Sequence, residues 1–295
     1  MAKKEVDVAI GLLFSHGKVL VGWRNKEQHQ GNKNEFPGGK IEKNETAVQA
    51  CRREVKEEVG ADIENWFSWD ELRYEYDDVI VRLFLFYSYV PDHLLAVIQN
   101  PWQWYSRDEL TSLNFPKAND PIIQRMLWAP YIKISSEISD IERLNLNTML
   151  YARNISVEQM KHLNKKFLSQ LILNIDLAHA LTRDEQRELG AIHIKQHQLK
   201  QFTANDLNLG CRYIAACHDL EGVLYAEKIG CEAAFLSPIN TTNTHINAIP
   251  LGWTAFKSIA QRSHILIFAL GGVTPKDLTT VQDCQAYGVA GISAF

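Results

Sequence analysis

Three glutamates in the first quarter of the 295-residue chain are spaced to hold one metal ion. Glu54, Glu57 and Glu58 stand at i, i+3 and i+4, so on a helix of about 100° per residue they share one face. Such close carboxylates repel one another, and a divalent cation would relieve that repulsion. A site of oxygen ligands alone favours Mg²⁺ or Mn²⁺. The alternative is an ordinary charged, exposed helix.

The helix that carries these glutamates is predicted to begin near Glu45 and Thr46. Its apolar residues fall on a separate stripe that can face the core, consisting of Val48, Cys51, Val55 and Val59. The glutamates should therefore project together from the edge of the buried face.

The spacing around this helix resembles the signature of the Nudix hydrolases. Gly39 is followed by five residues, Glu45, seven residues and then the run REVKEEVGA, in which only Ala61 is smaller than usual. The resemblance implies an α/β/α sandwich with a loop-helix-loop metal site. By it, Arg53, Glu54, Glu57 and Glu58 are catalytic, and Arg53 orders the carboxylates while Glu45 braces the loop.

By the same resemblance, Mg²⁺ is bound by the carbonyl of Gly38 and by Glu54, Glu57 and Glu58. The implied reaction is hydrolysis of a nucleoside diphosphate linked to a further group. The bound metal would activate water and neutralise charge on the leaving phosphate.

Two further stretches, NEFPGGKIE at 34–42 and NFPKANDP at 114–121, look like the MutT branch of that family. This implies an 8-oxo-dGTP diphosphatase, which releases 8-oxo-dGMP and pyrophosphate and so protects DNA replication and repair from a mutagenic nucleotide. Asn119 would read the oxidised base by accepting from N7–H and donating to O6. A site built on such a bond rejects the analogue lacking it by roughly 10⁴-fold or more. The alternative for Asn119 is a helix N-cap.

Other substrate contacts are expected from Arg24, Glu35 and Phe36, which lie in or before the same stretches. Arg24 suits a phosphate or sugar, although a surface arginine at a strand end is the simpler reading. Aromatic residues at 84 and 86 could stack on a purine, but aromatic residues in a strand are more often core.

One departure concerns the catalytic base. MutT-type enzymes carry a further glutamate before the last helix, and Gln103 stands at the matching place. A neutral amide cannot be a strong base. The alternatives are therefore Glu57 or Glu58, or else Asp108 or Glu109 reaching the site.

The first 130 residues are predicted to be α+β, with strands at 6–14, 18–24, 61–69, 72–76 and 79–90, a loop at 28–34 and a helix at 121–128. Pro130 marks the expected boundary between domains at 1–130 and 131–295.

Beyond Pro130, apolar runs alternate with helical patterns such as 157–168, 219–229 and 274–285. Eight runs are strand candidates: 131–134, 149–152, 171–174, 191–195, 213–217, 233–236, 265–270 and 288–292. This alternation predicts a parallel (β/α)₈ TIM-like barrel, shortened at about 165 residues. The fold class of the whole chain is α/β.

The second half resembles thiamine phosphate synthase and its TenI relatives, most clearly in the run ALGGV at 269–273. The resemblance implies phosphate binding at Gly271 and Gly272, where backbone N–H groups before a helix can hold an anion. A plain strand-to-helix turn is the alternative. Where that family carries two metal-binding aspartates, this chain has Ile175 and Gln198.

Losing those ligands removes the means of stabilising a departing pyrophosphate. We therefore expect a domain that makes no thiamine phosphate. It either binds a small phosphorylated ligand or only packs against the first domain. His218 and His245 are read as ordinary loop histidines.

Composition narrows the setting. A net charge of −4 and a pI near 6.2 argue against general binding of nucleic acid or anionic membranes. No apolar run approaches the roughly 18 residues of a membrane span, so a cytoplasmic protein is expected. The five scattered cysteines are predicted to be reduced and buried.

Two alternative functions remain open at this level. The first domain could act on a thiamine-related or dinucleotide pyrophosphate, and the barrel could be a ligand sensor that regulates it.

Overall fold

A computed structural model describes residues 3–24, 26–27, 31–242 and 249–295. The chain forms two compact units, Met1–Trp128 and Ala129–Phe295. Each is described by itself below.

The first unit is built on a mixed seven-stranded sheet. Five strands follow the order β3-β2-β1-β6-β5, while β4 pairs with β1 and β7 with β2. The strands are β1 (Lys4–Ser15), β2 (Lys18–Arg24), β3 (Lys33–Glu35), β4 (Gly38–Lys40), β5 (Phe67–Glu75), β6 (Val79–Tyr89) and β7 (Gln103–Tyr105). The long central strand β1 runs parallel to β6 and antiparallel to β2 and β4.

Two helices cover opposite faces of this sheet, because successive side chains of a strand point to opposite sides. Ile10, Leu12 and Phe14 of β1 join the core under α2 (Asp120–Met126). Ala9 and Leu13 join the core under α1 (Ala47–Val59). The expected α/β/α sandwich is confirmed.

Two local expectations in this unit were wrong. The predicted runs at 61–69 and 72–76 form one strand, β5, which begins only at Phe67. The region expected as a loop at 28–34 contains the start of β3, whereas residues 28–30 lie outside the described residues. Strand β3 has the polar sequence KNE and is held in place by backbone pairing with β2. Its sequence therefore carries no apolar pattern from which a strand could be predicted.

The second unit is a closed barrel of eight parallel strands. Its order is β10-β11-β12-β13-β14-β15-β8-β9. The strands are β8 (Tyr131–Ser135), β9 (Thr148–Ala152), β10 (Leu171–Asn174), β11 (Ala191–Ile194), β12 (Tyr213–Cys217), β13 (Ala233–Leu236), β14 (Leu266–Leu270) and β15 (Gly288–Gly291). The predicted TIM-like barrel is confirmed, and each strand candidate matches a strand to within about two residues.

Short helices connect these strands. They are α3 (Val157–Lys161), α4 (Ile175–Ala178), α5 (Arg183–Glu188), α6 (Gln196–Leu199), α7 (Leu220–Ile229), α8 (Gly252–Ala260) and α9 (Leu278–Asp283). The helix expected at 157–168 is therefore only one turn of α-helix, followed by a separate 3₁₀ turn at Lys165–Gln170.

The barrel interior is filled by side chains from alternate strands. The His193 ring of β11 lies 4.5 Å from the Tyr151 ring of β9 and 5.6 Å from the Phe235 ring of β13, measured between centroids. This layer is typical of a packed (β/α)₈ core.

All five cysteines are free and buried, as expected. Within the described residues, no helix is both long enough and apolar enough to cross a membrane.

Candidate active site

Helix α1 presents the glutamates, and local signals fix both its ends. Thr46 caps the start by accepting from the backbone N–H of Gln49 at 3.3 Å, and the Gln49 side chain accepts from Thr46 N at 2.8 Å. Gly60 ends the helix in the left-handed region at φ 81°. The buried residues are Ala50, Cys51, Val55 and Val59. The expected stripe was wrong at Val48, which lies in the first turn and is 37% exposed.

Arg53 joins the helix to the preceding loop. Its Nη2 and Nε donate to both carboxylate oxygens of Glu45, at 2.8 and 3.2 Å. Its Nη1 donates to Glu54 at 2.8 Å and lies 3.5 Å from Glu57, while Nη2 also donates to the Lys40 carbonyl at 3.2 Å. Hydrogen bonds to the two carboxylates, first of all Glu45, raise the pKa of Arg53 above its usual range. The guanidinium therefore fixes the loop and the acidic face in one arrangement.

The Glu58 carboxylate is joined to strand β4. One carboxylate oxygen accepts from the N–H of Gly38 at 3.0 Å. Burial, helped by the nearby charges of Glu35 and Glu54, raises the pKa of Glu58 to about 7. Its negative charge therefore lacks full compensation within the described structure.

Strand β4 lies directly against the acidic face. A Cβ atom placed on Gly39 would lie 2.2 Å from a carboxylate oxygen of Glu54, and one on Gly38 would lie 2.2 Å from the carbonyl oxygen of Ala9. Only glycine at these two positions allows the backbone of β4 to lie so close to Glu54 and to β1.

The donor set fits a hard divalent cation. Glu54, Glu57 and Glu58 offer oxygens only, and the backbone of Gly38 lies beside them. Arg53 is the one cation bound within this face among the described residues, and it is shared with Glu45. Residual negative charge on oxygen ligands is the chemistry that Mg²⁺ or Mn²⁺ requires.

Strands β2 and β3 bring two of the expected substrate contacts, Arg24 and Glu35, to the same region. Glu35 lies in β3 opposite Gly22 of β2, and its carboxylate is 3.5 Å from Nε of Arg24. Burial raises the pKa of Glu35, and its charge in turn raises the pKa of Glu58. Nε of Arg24 is buried and has no hydrogen-bond partner in the described ranges.

The two MutT-like stretches lie against each other. The backbone N–H of Asn114 donates to the Asn34 side chain at 3.0 Å, and the N–H of Asn34 donates to the Asn114 carbonyl at 2.8 Å. The ring of Phe36 stacks on that of Phe115 at 4.9 Å. Asn119, at the end of the second stretch, is 7% exposed. It occupies the N-cap position of α2, but its side chain makes no capping hydrogen bond.

Several other side chains are used elsewhere. The Gln103 side chain is exposed and accepts from the Tyr105 hydroxyl at 3.2 Å. Glu109 accepts from the N–H and hydroxyl of Ser106, both at 2.7 Å, so its carboxylate is engaged in a local turn. The rings at 84 and 86 pack in or against the core under α1.

In the second unit, a cavity of about 760 Å³ lies at the carboxyl ends of the barrel strands and includes Gly271 and Gly272 in its lining. Both glycines have positive φ, 94° and 67°. Arg153 and His218 also line it. Sequence reasoning set His218 aside, yet its Nδ1 lies 2.7 Å from the Ser237 carbonyl oxygen in the cavity wall. His245 lies outside the described residues.

Around Ile175 and Gln198, where the sequence predicts the loss of metal ligands, the structure has a hydrogen-bond network. Ile175 and Gln198 are buried. The Gln198 amide nitrogen donates to both carboxylate oxygens of Asp176 at 2.9 Å, while its oxygen accepts from Asn174 at 3.2 Å. An amide donor therefore satisfies the local carboxylate.

Comparison with known proteins gives separate matches for the two units. Residues 3–126 match the NUDIX domain family, and residues 152–295 match the thiamine monophosphate synthase family, TMP-TENI. The 8-oxo-dGTP diphosphatase of Escherichia coli (strain K12) is 33% identical over 42% of this chain and 97% of its own length. "Putative thiamine-phosphate synthase 2" of Aquifex aeolicus (strain VF5) is 31% identical over 47% of this chain and 72% of its own length.

Among solved structures, MutT from methicillin-resistant Staphylococcus aureus 252 is 32% identical. The alignment covers 42% of this chain and 97% of the S. aureus protein, with a TM-score of 0.35. The front of the chain, with its ordered glutamate face, therefore belongs to the Nudix hydrolases, and its barrel belongs to the thiamine monophosphate synthase family.

Proposed function

We propose that the first unit is a Mg²⁺-dependent 8-oxo-dGTP diphosphatase that releases 8-oxo-dGMP and pyrophosphate. The observation that carries this proposal is the acidic face of α1, ordered by Arg53 and lying against Gly38 and Gly39. The 8-oxo-dGTP diphosphatase activity of the E. coli relative supports the choice of substrate.

In this proposal Glu54, Glu57, Glu58 and the carbonyl of Gly38 hold the cation. A cation held there would supply Lewis-acid chemistry, lowering the pKa of a bound water and neutralising charge on the leaving phosphate. Arg53 holds the carboxylates in fixed positions through its hydrogen bonds to Glu45 and Glu54. Because Glu109 is engaged by Ser106, the glutamates of α1 are the better candidates for the base.

Base recognition is assigned to Asn119, with Arg24, Glu35 and Phe36 as further substrate contacts. The absence of a capping bond from the Asn119 side chain weakens the alternative that it serves the helix alone. The buried Nε of Arg24 lies 3.5 Å from Glu35 but makes no hydrogen bond within the described residues, so it is a donor of the kind that a nucleotide oxygen would satisfy.

Steady-state hydrolysis of 8-oxo-dGTP and dGTP by the full chain with Mg²⁺ tests the proposal. We expect a kcat/KM ratio of roughly 10⁴ in favour of the oxidised nucleotide. Equal kcat/KM values would show that the substrate is wrong.

A panel of other pyrophosphates separates the alternative. If a thiamine-related or dinucleotide pyrophosphate is cleaved with a higher kcat/KM than 8-oxo-dGTP, the first unit serves the ligand of the barrel rather than the nucleotide pool.

For the second unit we propose binding of a small phosphorylated ligand without synthesis of thiamine phosphate. Consecutive glycines of positive φ in a cavity wall support anion binding, and the Gln198–Asp176 pairing supports the loss of metal-dependent chemistry. Thermal shift of the full chain with inorganic phosphate and with thiazole and pyrimidine phosphates tests binding. If none of these compounds raises the Tm, the proposed ligand binding is wrong. If the chain forms measurable thiamine phosphate, the proposed loss of synthesis is wrong.

A further inference from the structure

Trp102 makes a direct contact with the metal helix. Its indole Nε1 donates to the backbone carbonyl of Glu58 at 2.9 Å, and the residue is only 8% exposed. Trp102 comes immediately before β7, which pairs with β2 through Val21 and Gln103. The indole therefore joins the sheet to the last turn of α1.

This carbonyl needs an external partner because the last four carbonyls of a helix have none within it. The N–H of Gly60 satisfies the carbonyl of Lys56, and Trp102 satisfies that of Glu58. Glu58 is consequently held at both ends, with its carbonyl bound by Trp102 and its carboxylate by the N–H of Gly38.

Gly22 provides the space for this indole. A Cβ atom on Gly22 would lie 2.5 Å from a ring carbon of Trp102, closer than any two carbons can pack. The glycine in β2 and the tryptophan before β7 thus form one interlocking pair beneath the end of α1.

We propose that Trp102 is a positioning residue, which fixes the last turn of α1 and thereby aims the Glu58 carboxylate at the cation. This role rests on the proposed metal site of the first unit. Partners that orient a metal ligand from behind commonly change metal affinity or activity by 10- to 100-fold when they are removed.

The test compares two tryptophan variants of the full chain. Trp102→Phe keeps an aromatic ring and loses the N–H donor. Trp66→Phe is the matched control, because the Trp66 indole also donates to a backbone carbonyl, that of Ile63, at 2.9 Å and is half-buried. Mn²⁺ affinity is measured by electron paramagnetic resonance of the free ion, with kcat, KM and Tm measured beside it.

We expect Trp102→Phe to raise the Mn²⁺ dissociation constant by roughly 10-fold. Activity should recover at high metal concentration, and the control should stay within about two-fold of the natural chain. Gly22→Ala is a second variant that keeps the indole but displaces it, and it should weaken Mn²⁺ binding in the same direction.

The outcomes are separable. If the natural chain binds Mn²⁺ and Trp102→Phe binds it as tightly as Trp66→Phe does, the positioning role is wrong and the proposed function stands. If Trp102→Phe does not fold, Gly22→Ala decides in the same way. If the natural chain neither binds Mn²⁺ nor cleaves nucleotides, the proposed function is wrong and this role is wrong with it.

Discussion

At the scale of single residues, the acidic face separates structural from chemical side chains. Arg53 and Glu45 are joined by two hydrogen bonds within one ion pair. The Glu57 side chain, by contrast, is 61% exposed and makes a single long contact of 3.5 Å with Arg53. Glu57 therefore contributes little to the fold and is available to a ligand.

Glu57→Gln should remove one metal ligand without disturbing the fold. We expect kcat for 8-oxo-dGTP to fall by about 10²-fold or more, corresponding to about 3 kcal/mol of transition-state stabilisation. Tm should hardly change because exposed substitutions cost little. Glu64→Gln, at a side chain that is 82% exposed, is the control and should keep full activity. Unchanged turnover in Glu57→Gln would refute the metal assignment.

Asn119→Ala tests base recognition. Loss of the amide should lower kcat/KM for 8-oxo-dGTP by about 10- to 100-fold, as expected for one or two hydrogen bonds in a buried site. The value for dGTP serves as the internal control and should fall less, because dGTP offers O6 to the amide but no N7–H. A parallel fall for both nucleotides would assign Asn119 a structural role instead.

At the scale of elements, the site depends on a loop and a helix joined by one planar cation. The β4 backbone lies on Glu54 and Glu58, and Arg53 ties the same helix to Glu45 in the preceding loop. Geometry, in addition to charge, is therefore what Arg53 supplies.

Arg53→Lys should keep the charge but lose the forked bonds to Glu45 and Glu54. We expect Mn²⁺ affinity, measured by titration calorimetry, to fall by roughly 10-fold. Arg52→Lys is the control on the same helix, since Arg52 pairs with Asp62 outside the acidic face. Equal affinities in the two variants would mean that charge alone matters at position 53.

At the scale of the whole molecule, one buried residue makes the stability of the barrel depend on pH, because the barrel core contains a titratable group. Burial, with a smaller contribution from Lys195, lowers the pKa of His193 to about 3, from an ordinary value of 6.5. As the pH falls below about 6.5, His193 therefore binds a proton in the unfolded chain but stays neutral in the folded barrel. The stabilisation from His193 is complete above pH 6.5 and is lost progressively as the pH falls towards 3.

The free energy of unfolding should consequently drop by about 2 kcal/mol between pH 7 and pH 5 through this residue alone. Urea unfolding of the full chain and of His193→Gln at both pH values measures this contribution, because the other titrating groups are common to both. We expect the variant to lack the additional loss at pH 5. The same pH dependence in both proteins would show that His193 titrates normally.

The sequence determined most of the architecture. Eight apolar runs separated by helical patterns were enough to predict the barrel, because most of its strands are buried on both faces and carry a strong local signal. Likewise, the spacing of Glu54, Glu57 and Glu58 places them on one helix face through local geometry alone.

Only the tertiary structure decided what approaches that face from elsewhere in the chain. The stacking of Phe36 on Phe115, the bond of Gly38 to Glu58 and the contact of Trp102 with the Glu58 carbonyl join residues far apart in sequence. Phe36, Phe115 and Trp102 lie outside the strands, and the adjacent strands β3, β4 and β7 have only three residues each, so no periodic sequence pattern predicts these contacts. The local sequence therefore determines that the three glutamates share a helix face, whereas long-range packing determines which residues surround them.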